Sequence, residues 1–345
     1  MSVPLSRHLR PNRVVSPRVE DPTMRISSTP LSDWDARIAS PTLSQGFAVA
    51  AAASGYRALY VDSGSSTALV LVRILPGSMG RACSARAKAY VSRGDAVFVS
   101  GLALALAARG IAHVWVGDTV EGVPRRTLEL AGITPIMSYR LAHAPALSDR
   151  ELFVRLAPRR RAALRRAELA GVVVSEIRSE TEFEQYRALA ADADSTGAVM
   201  PPKFFAAMFR DMVPRRQAVF FLARRGEQPL AGAIFLVSRY RMSCFHAVAT
   251  RDQDLSALEG PTAVFWHALR VARVRDLPCF DLGAVTPTSN RDRPVLSSYD
   301  FKREFGGYLE PVYHGEVALI EHAPGRRPAI MGHGQRTRAA PEGEA

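Results

Sequence analysis

The stretch that decides the fold is residues 279–307, CFDLGAVTPTSNRDRPVLSSYDFKREFGG. Its opening residues form a short apolar strand that carries one carboxylate, Asp281. A polar loop separates this strand from the segment FKREFGG, in which Phe301 and Phe305 are four residues apart and pack inward together on a helical turn. Lys302 then points away from the two rings. The stretch therefore predicts a strand that ends near a carboxylate and a turn that presents an ammonium group.

Outward from this stretch, the chain contains two runs of elements in the same order. The 345 residues are enough for two domains of about 120 to 170 residues, and the repeated order predicts a duplicated α/β chain. The first run has predicted helices at 44–54, 95–109 and 121–131 and strands at 57–62, 67–75, 83–92, 111–116 and 133–141. The second run has predicted helices at 182–190, 202–211 and 261–274 and strands at 218–224, 231–237, 242–250 and 279–283.

The charge of the chain favours an anionic partner. The formal net charge is +12, which suits a nucleic acid, anionic lipid head groups or a phosphorylated substrate. The alternative is that an arginine-rich and alanine-rich composition is basic without any such partner. Charge alone leaves both interpretations open.

The chain ends and the cysteines bear on location. Residues 1–30 and 323–345 carry no periodic apolar pattern and are predicted to be disordered. The first residues lack the continuous apolar segment of a signal peptide, and the longest apolar stretch, 96–108, is too short to span a bilayer. The three cysteines form no CxxC pair and are predicted to be reduced core residues. We therefore expect a cytoplasmic protein without a bound metal.

Between the two runs lies an arginine-rich segment, residues 157–170, APRRRAALRRAELA. Pro158 can open a helix here and Gly171 can close it. Arg161 and Arg165 are four residues apart and share one face. The segment is either a solvated charged face or a helix that contacts phosphate or RNA.

Several segments resemble the Fem family of aminoacyl-tRNA-dependent peptidyltransferases and their GNAT-like relatives. The resemblance covers residues 34–320. Its most specific part is the pair FDLG and FKREFGG, separated by a polar loop. The other similar segments are 89–95 (AYVSRGD), 161–174 (RAALRRAELAGVVV) and 230–235 (LAGAIF).

The resemblance implies a fold and a reaction. The fold is two tandem GNAT-like domains that share a central cleft: residues 31–145, completed by a strand near 311–320, and residues 146–310, with the basic linking helix at 157–170. In the reaction, an amino group of a peptide or peptidoglycan-type acceptor attacks the ester carbonyl of a charged tRNA, and an amide forms. No cofactor is implied, since aminoacyl-tRNA is a co-substrate.

The expected site combines residues from these segments. Lys302 is expected to stabilise an oxyanion or hold a phosphate, and Asp281 to accept a proton or orient the amine. Structural alternatives remain for both: a surface lysine, and a carboxylate that caps a loop. His246, alone on an apolar strand, is expected to be a satisfied core residue. The expected substrate-binding residues are Tyr90, Arg93, Arg161, Arg165, Tyr299 and Phe305.

Two further segments bear on the substrates. Residues 257–262, ALEGPT, lack the pattern that cradles the pyrophosphate of coenzyme A in GNAT enzymes, and Pro261 removes an N–H donor. Acetyl-CoA is therefore not the expected donor. The cell-wall members that the chain resembles carry a basic residue on their first helix for the acceptor's diphosphate, but the first helix here has no Lys or Arg. By that resemblance, a smaller acceptor, such as a peptide natural product, is favoured over a lipid-linked or nucleotide-linked precursor. Alternatives are a different acyl donor, or a non-catalytic protein that binds RNA or peptide.

Overall fold

The computed structural model describes residues 24–75, 84–92, 94–118, 120, 122–144, 147–193, 201–285 and 298–319. The strands are β1 (Arg25–Ser27), β2 (Arg57–Asp62), β3 (Thr67–Leu75), β4 (Ser84–Ser92), β5 (Ile111–Gly117), β6 (Pro135–His143), β7 (Val172–Glu176), β8 (Ala218–Arg225), β9 (Gln228–Val237), β10 (Arg241–Ala249), β11 (Cys279–Val285) and β12 (Tyr308–Ala318). The helices are α1 (Trp34–Arg37), α2 (Gln45–Ala53), α3 (Ala96–Ala107), α4 (Arg125–Leu130), α5 (Asp149–Arg155), α6 (Pro158–Leu169), α7 (Glu180–Ala193), α8 (Pro202–Met212), α9 (Gln253–Ser256), α10 (Gly260–Val274) and α11 (Ser298–Arg303). A 3₁₀ turn at Pro41–Leu43 precedes α2.

All twelve strands of the described residues lie in one mixed sheet, in the order β1-β2-β3-β4-β5-β12-β6-β11-β10-β9-β8-β7. The order is symmetrical about the central pair β12 and β6. The last strand of the second half, β12, pairs with β5 of the first half, while β6 pairs with β11. The two halves have thus exchanged their final strands. The predicted α/β architecture with two equivalent halves is confirmed.

The two chain ends are only partly described. The strand expected near 311–320 is found as β12. The prediction that residues 1–30 are disordered is wrong for Arg25–Ser27, which pair with β2. Three residues are too few to show a periodic pattern, but Ile26 packs against the core beneath α3. Residues 1–23 and 320–345 lie outside the described residues.

Side chains divide between the two faces of the sheet with the period of two that strands impose. Leu69 of β3 belongs to a core beneath α2, α7 and α8, whereas its neighbour Val70 belongs to a core beneath α3. In β8, Phe220 joins the first of these cores and Phe221 joins a third, beneath α10. The first core extends across both halves because α2 packs directly on α8.

The two parallel strand pairs differ in length. In the first half, β4 and β5 stay paired as far as Tyr90 and Gly117. In the second half, the pairing of β10 with β11 ends at Ser243 and Asp281. The register of β10 against β9 shifts just beyond this point, between Cys244 and His246. The second half therefore contains an opening in the sheet that the first half lacks.

Candidate active site

Lys302 of α11 lies at this opening between β10 and β11. Its Nζ donates a hydrogen bond to the carbonyl oxygen of Ala284 at 2.8 Å. A Cβ added at Gly283, whose φ is +88°, would lie 3.5 Å from Nζ and 2.9 Å from the carbonyl oxygen of Cys244. Only glycine suits both this backbone conformation and this close approach. The two most specific sequence segments, FDLG and FKREFGG, thus meet at one contact.

The surroundings of Lys302 affect its charge. The side chain is half-buried rather than fully exposed. Burial lowers the pKa of Lys302 below the ordinary lysine value, and the charges of Cys244 and Asp281 act in the opposite direction. An ammonium group has three donors, of which one is used on Ala284. The others can serve a bound anion or a developing oxyanion.

Asp281 lies behind the opening and is fully buried. Its carboxylate accepts hydrogen bonds from the Gly283 N–H at 2.7 Å and the Ser243 hydroxyl at 3.0 Å, and it lies 3.4 Å from Arg140. Burial raises its pKa, while Arg140 acts to lower it. The enclosed carboxylate reaches no open surface in this structure, so its expected role of accepting a proton from the amine or orienting it stays a prediction. Its contacts with Ser243 and the Gly283 N–H lie where the pairing of β10 and β11 ends.

Arg140 of β6 connects Asp281 to the first half. Its guanidinium donates to the carbonyl oxygens of Asp118, at 3.2 Å, and Val120. The buried carboxylate of Asp118 accepts hydrogen bonds from Thr42 at 2.8 Å and from Ser40 at 3.0 Å, and burial raises its pKa. Asp118 and Arg140 were not predicted from the sequence, although Asp118 comes two residues after the strand predicted at 111–116.

Three of the expected substrate-binding residues have different surroundings: Tyr90, Tyr299 and Phe305. Tyr90 is buried, and its ring packs against Phe47 at 5.4 Å and Trp115 at 5.5 Å. Tyr299 is partly buried on α11, beside Lys302. The side chain of Phe305 is fully buried in the core beneath α10, and its expected contact with substrate stays a prediction. Arg93 lies outside the described residues.

The two arginines predicted on α6 both have partners within the chain. Arg161 donates to the carbonyl oxygens of Val154, at 3.0 Å, and Leu156, and so closes the end of α5. Arg165 is exposed, with its guanidinium 5.9 Å from the centre of the Phe153 ring. Arg165 therefore remains available to a phosphate at the surface, while Arg161 has a structural role in this state.

His246 is held among aromatic residues. Its Nδ1 lies 2.6 Å from the hydroxyl of Tyr186, which is fully buried, and its ring centre lies 4.7 Å from that of Phe205. These contacts support its interpretation as a satisfied residue of the core.

In the GNAT enzymes that the sequence resembles, the pyrophosphate of coenzyme A is expected at a helix N-terminus, and α10 is the matching helix here. Here Glu259, with φ of +60°, precedes that helix, and its carboxylate is bound by Arg166 at 2.5 Å and by the Thr262 hydroxyl at 3.1 Å. In the first half, the carboxylate of Asp95 accepts from the Phe98 N–H of α3 at 2.8 Å. A carboxylate at a helix N-terminus occupies the place of an anion. Asp95 caps α3 in this way, whereas the carboxylate of Glu259 makes no hydrogen bond to the N–H groups of α10. The expectation that acetyl-CoA is not the donor stays a prediction.

A groove lined by arginines lies at the other end of β10. One part, of about 310 Å³, is lined by Arg215, Arg216 and Arg239, with Asp35 as its acid. It adjoins a second part, of about 610 Å³, because both share Arg216. The second part adds Arg178, Arg275 and Glu176. This arginine groove, with five arginines and two acids, suits an anionic group.

Comparison with known proteins agrees with this architecture. Residues 150–303, in the second half, match the family described as acetyltransferase (GNAT) domain. The chain as a whole has the Fem-type, GNAT-like fold, which confirms the resemblance. The crystal structure of FemX superposes with a TM-score of 0.59 at 13% identity, covering 79% of this chain and 91% of that one.

Two further solved structures share the fold. The C-terminal domain of a putative lysylphosphatidylglycerol synthetase from Agrobacterium fabrum has a TM-score of 0.52 at 13% identity, and covers 77% of this chain and 87% of that chain. L-PGS from Bacillus licheniformis has a TM-score of 0.52 at 11% identity, and covers 78% and 86%. No curated protein matches the sequence. Among the described residues, none of the helices combines the length and apolar character that a membrane span requires.

Proposed function

We propose that this protein transfers an amino acid from aminoacyl-tRNA to an amino group of a peptide or peptidoglycan-type acceptor. The observation that supports this most directly is Lys302 at the opening between β10 and β11. The charged tRNA would be the co-substrate, and the site needs no cofactor. A cytoplasmic location goes with this proposal because charged tRNA is found there.

The proposed chemistry is the aminolysis of an ester. The nitrogen lone pair of the neutral acceptor amine attacks the carbonyl carbon, a C–N bond forms, and the carbonyl oxygen becomes an oxyanion. The oxyanion then collapses, the ester C–O bond breaks, and the proton lost by nitrogen goes to the leaving ribose oxygen. The ester is already activated, so positioning and electrostatic stabilisation supply most of the catalysis. Lys302 would supply the positive charge at the oxyanion.

The starts of α3 and α10 support a donor other than acetyl-CoA. Asp95 caps α3, and Glu259 stands just before α10, so each helix start has a carboxylate close by. These charges would repel a pyrophosphate. An aminoacyl ester carried on RNA makes no such demand on the helix starts.

The arginine groove supports an acceptor that carries a negative charge away from its amine. Arg239 lies in the turn before β10, and Arg241 and Cys244 are three residues apart, which is about 10 Å along that strand. We place the anionic part of the acceptor in the groove and its amino group near Lys302. Arg216 has a left-handed backbone, with φ of 58°, a conformation that costs a non-glycine residue about 1–2 kcal/mol.

One experiment tests the proposed function directly. The protein is incubated with a pool of charged tRNAs and candidate acceptors, and the products are read by mass. We expect an acceptor with one added aminoacyl group, together with no tight binding of acetyl-CoA in calorimetry. Stoichiometric binding of acetyl-CoA would contradict the donor, and tRNA binding without any amide product would favour the non-catalytic alternative.

The outer face of α6 is expected to bind tRNA phosphates. Replacing exposed Arg159 and Arg165 by alanine should raise the KM for charged tRNA with little change in kcat, because such contacts are uniform between ground and transition states. The slope of log K against log salt should fall by about 0.7 to 0.9 for each lost phosphate contact.

The control for α6 removes the same charge elsewhere, with Arg57→Ala and Arg225→Ala, at exposed positions of β2 and β8. If this pair changes the KM and the salt slope as much as the α6 pair does, net charge alone is responsible and α6 is an ordinary solvated face.

The arginine groove is expected to govern the KM for the acceptor. Arg239→Gln should raise that KM by about tenfold or more, since a hydrogen bond to a charged group contributes about 1.5–3 kcal/mol. Arg216→Asn should do the same, and asparagine tolerates the left-handed backbone. Arg225→Gln is the control. An unchanged acceptor KM in both groove variants would remove the groove from the site.

A further inference from the structure

Helix α6 has arginines on two faces. Arg159 and Arg165 are exposed, whereas Arg160 is only 4% exposed. Burial of its guanidinium lowers the pKa of Arg160, and Glu304 and then Glu259 oppose that shift. A buried arginine persists only where partners satisfy it, so its contacts show what it holds together.

On one side, Arg160 contacts the start of α10. Its Nη1 donates to the hydroxyl of Thr262 at 2.7 Å and lies 3.7 Å from the carboxylate of Glu259. The Thr262 hydroxyl in turn donates to Glu259. Arg160 therefore joins α6 to the helix start where the fold could otherwise receive an anion.

On its other side, Arg160 contacts α11 and the residue that follows it. Its Nε lies 2.9 Å from the carboxylate of Glu304, and its guanidinium lies 4.2 Å from the centre of the Phe301 ring. The N–H of Ala157, just before α6, donates to the Glu304 carbonyl oxygen at 2.8 Å. Both the backbone and the side chain of Glu304 are thus tied to α6.

These contacts matter because α11 carries Lys302 and is short. A helix of six residues is not stable alone, since helix nucleation is unfavourable and must be offset by tertiary contacts. The position of Nζ beside Ala284 therefore depends on what anchors α11. Phe301 and Glu304 flank Lys302 in sequence, and Arg160 contacts both.

We propose that Arg160 is a positioning residue for Lys302: by joining α6, the start of α10 and α11, it holds the ammonium group at the opening between β10 and β11. The importance of that position for catalysis rests on the proposed function, but the placement itself does not. Lysine cannot replace arginine here, because the planar guanidinium donates in several directions and stacks on Phe301 at once.

The composition of the chain allows a direct test. The sequence contains three lysines, Lys88, Lys203 and Lys302, and the first two are exposed. Lysine labelling by reductive methylation, read by mass, therefore compares Lys302 with two internal references. The labelling rates are measured from about pH 8 to about pH 10, approaching the ordinary lysine pKa near 10.4. Only the neutral amine reacts, so the pH dependence reports the pKa of Lys302, and the remaining difference in rate reports its accessibility.

In Arg160→Met we expect Lys302 to be labelled about fivefold faster relative to Lys88 and Lys203. A fivefold change corresponds to about 1 kcal/mol, the contribution of the hydrogen bond from Lys302 to Ala284 that would be released. Arg160→Lys, which keeps the charge, should recover only part of the difference. Arg165→Met, on the outer face of α6, is the matched control and should leave the rate unchanged.

Circular dichroism checks that each variant is folded. If Arg160→Met is not, Glu304→Gln provides the test, because it removes the ion pair between Arg160 and the Glu304 carboxylate and leaves the contact of Arg160 with Thr262 of α10. Wild-type labelling of Lys302 in the folded Arg160→Met protein, or in Glu304→Gln when that variant is needed, overturns the proposal. The labelling result stands even if no aminoacyl product is ever found, so failure of the proposed function and failure of the positioning role are distinguishable.

Discussion

Lys302→Ala is expected to lower kcat for amide formation by about 100-fold or more, because removal of one oxyanion donor costs on the order of 3 kcal/mol. The folded state should lose no more than about 1 kcal/mol, since Lys302 is half-buried and makes one hydrogen bond to Ala284. Steady-state kinetics and denaturant unfolding on the same purified variant separate the two effects.

The pH profile identifies the group further. The ammonium must be protonated to stabilise an oxyanion, so activity should be lost as pH rises through the pKa of Lys302. Burial lowers that pKa, which places the loss at a lower pH than for an exposed lysine. Lys302→Arg should restore part of kcat and remove this alkaline limb, because guanidinium stays protonated.

Two other outcomes have different meanings. If Lys302 grips a phosphate of a substrate, the loss appears mainly in KM for that substrate. Wild-type kinetics in Lys302→Ala would show that the FKREFGG segment serves the fold only, and that the proposed catalytic role is wrong.

Phe305→Ala is expected to destabilise the protein by about 3–5 kcal/mol, the usual cost of removing a buried phenylalanine ring. Phe305 is fully buried and lies against the rings of Phe265 and Phe301. Urea unfolding measures the change. Phe305→Leu keeps most of the volume and should cost less. If the free energy of unfolding falls by less than about 1 kcal/mol in Phe305→Ala, the surrounding core has rearranged to fill the space left by the ring, and the expected cavity is absent.

The two variants together divide one sequence motif into two roles. Lys302→Ala should impair catalysis and spare stability, whereas Phe305→Ala should impair stability first. They are three positions apart in sequence, but Lys302 lies at the opening between β10 and β11, whereas Phe305, two residues beyond the end of α11, is buried in the core beneath α10. The motif is specific because it must satisfy a core and an active site with one short helix.

The sequence predicts the long elements well because their periodicity is strong. The helix predicted at 261–274 is observed as Gly260–Val274, and the strand predicted at 218–224 as Ala218–Arg225. Short elements were missed: β1 has three residues, and α5 has seven, although Ser148 and Glu151 form the capping box that marks its start.

The site was predictable only in part. The position of Lys302 follows from its motif. The burial of Asp281 does not, because it depends on Arg140, which is 141 residues away in sequence. Arg161 and Arg165 stood out by their spacing, but Arg160 is the residue turned inward, and that depends on where α10 and α11 pack. Such contacts arise from tertiary structure rather than from local pattern.

The exchange of β6 and β12 constrains how the protein is made. During synthesis, β5 emerges with one edge unpaired, and its partner β12 is almost two hundred residues behind it on the ribosome. An exposed strand edge invites pairing with other chains. The nascent first half therefore has to stay soluble without its final strand, and a fragment cut between the halves should aggregate rather than fold. The sheet cannot be completed by β12 until nearly the whole chain has been synthesised.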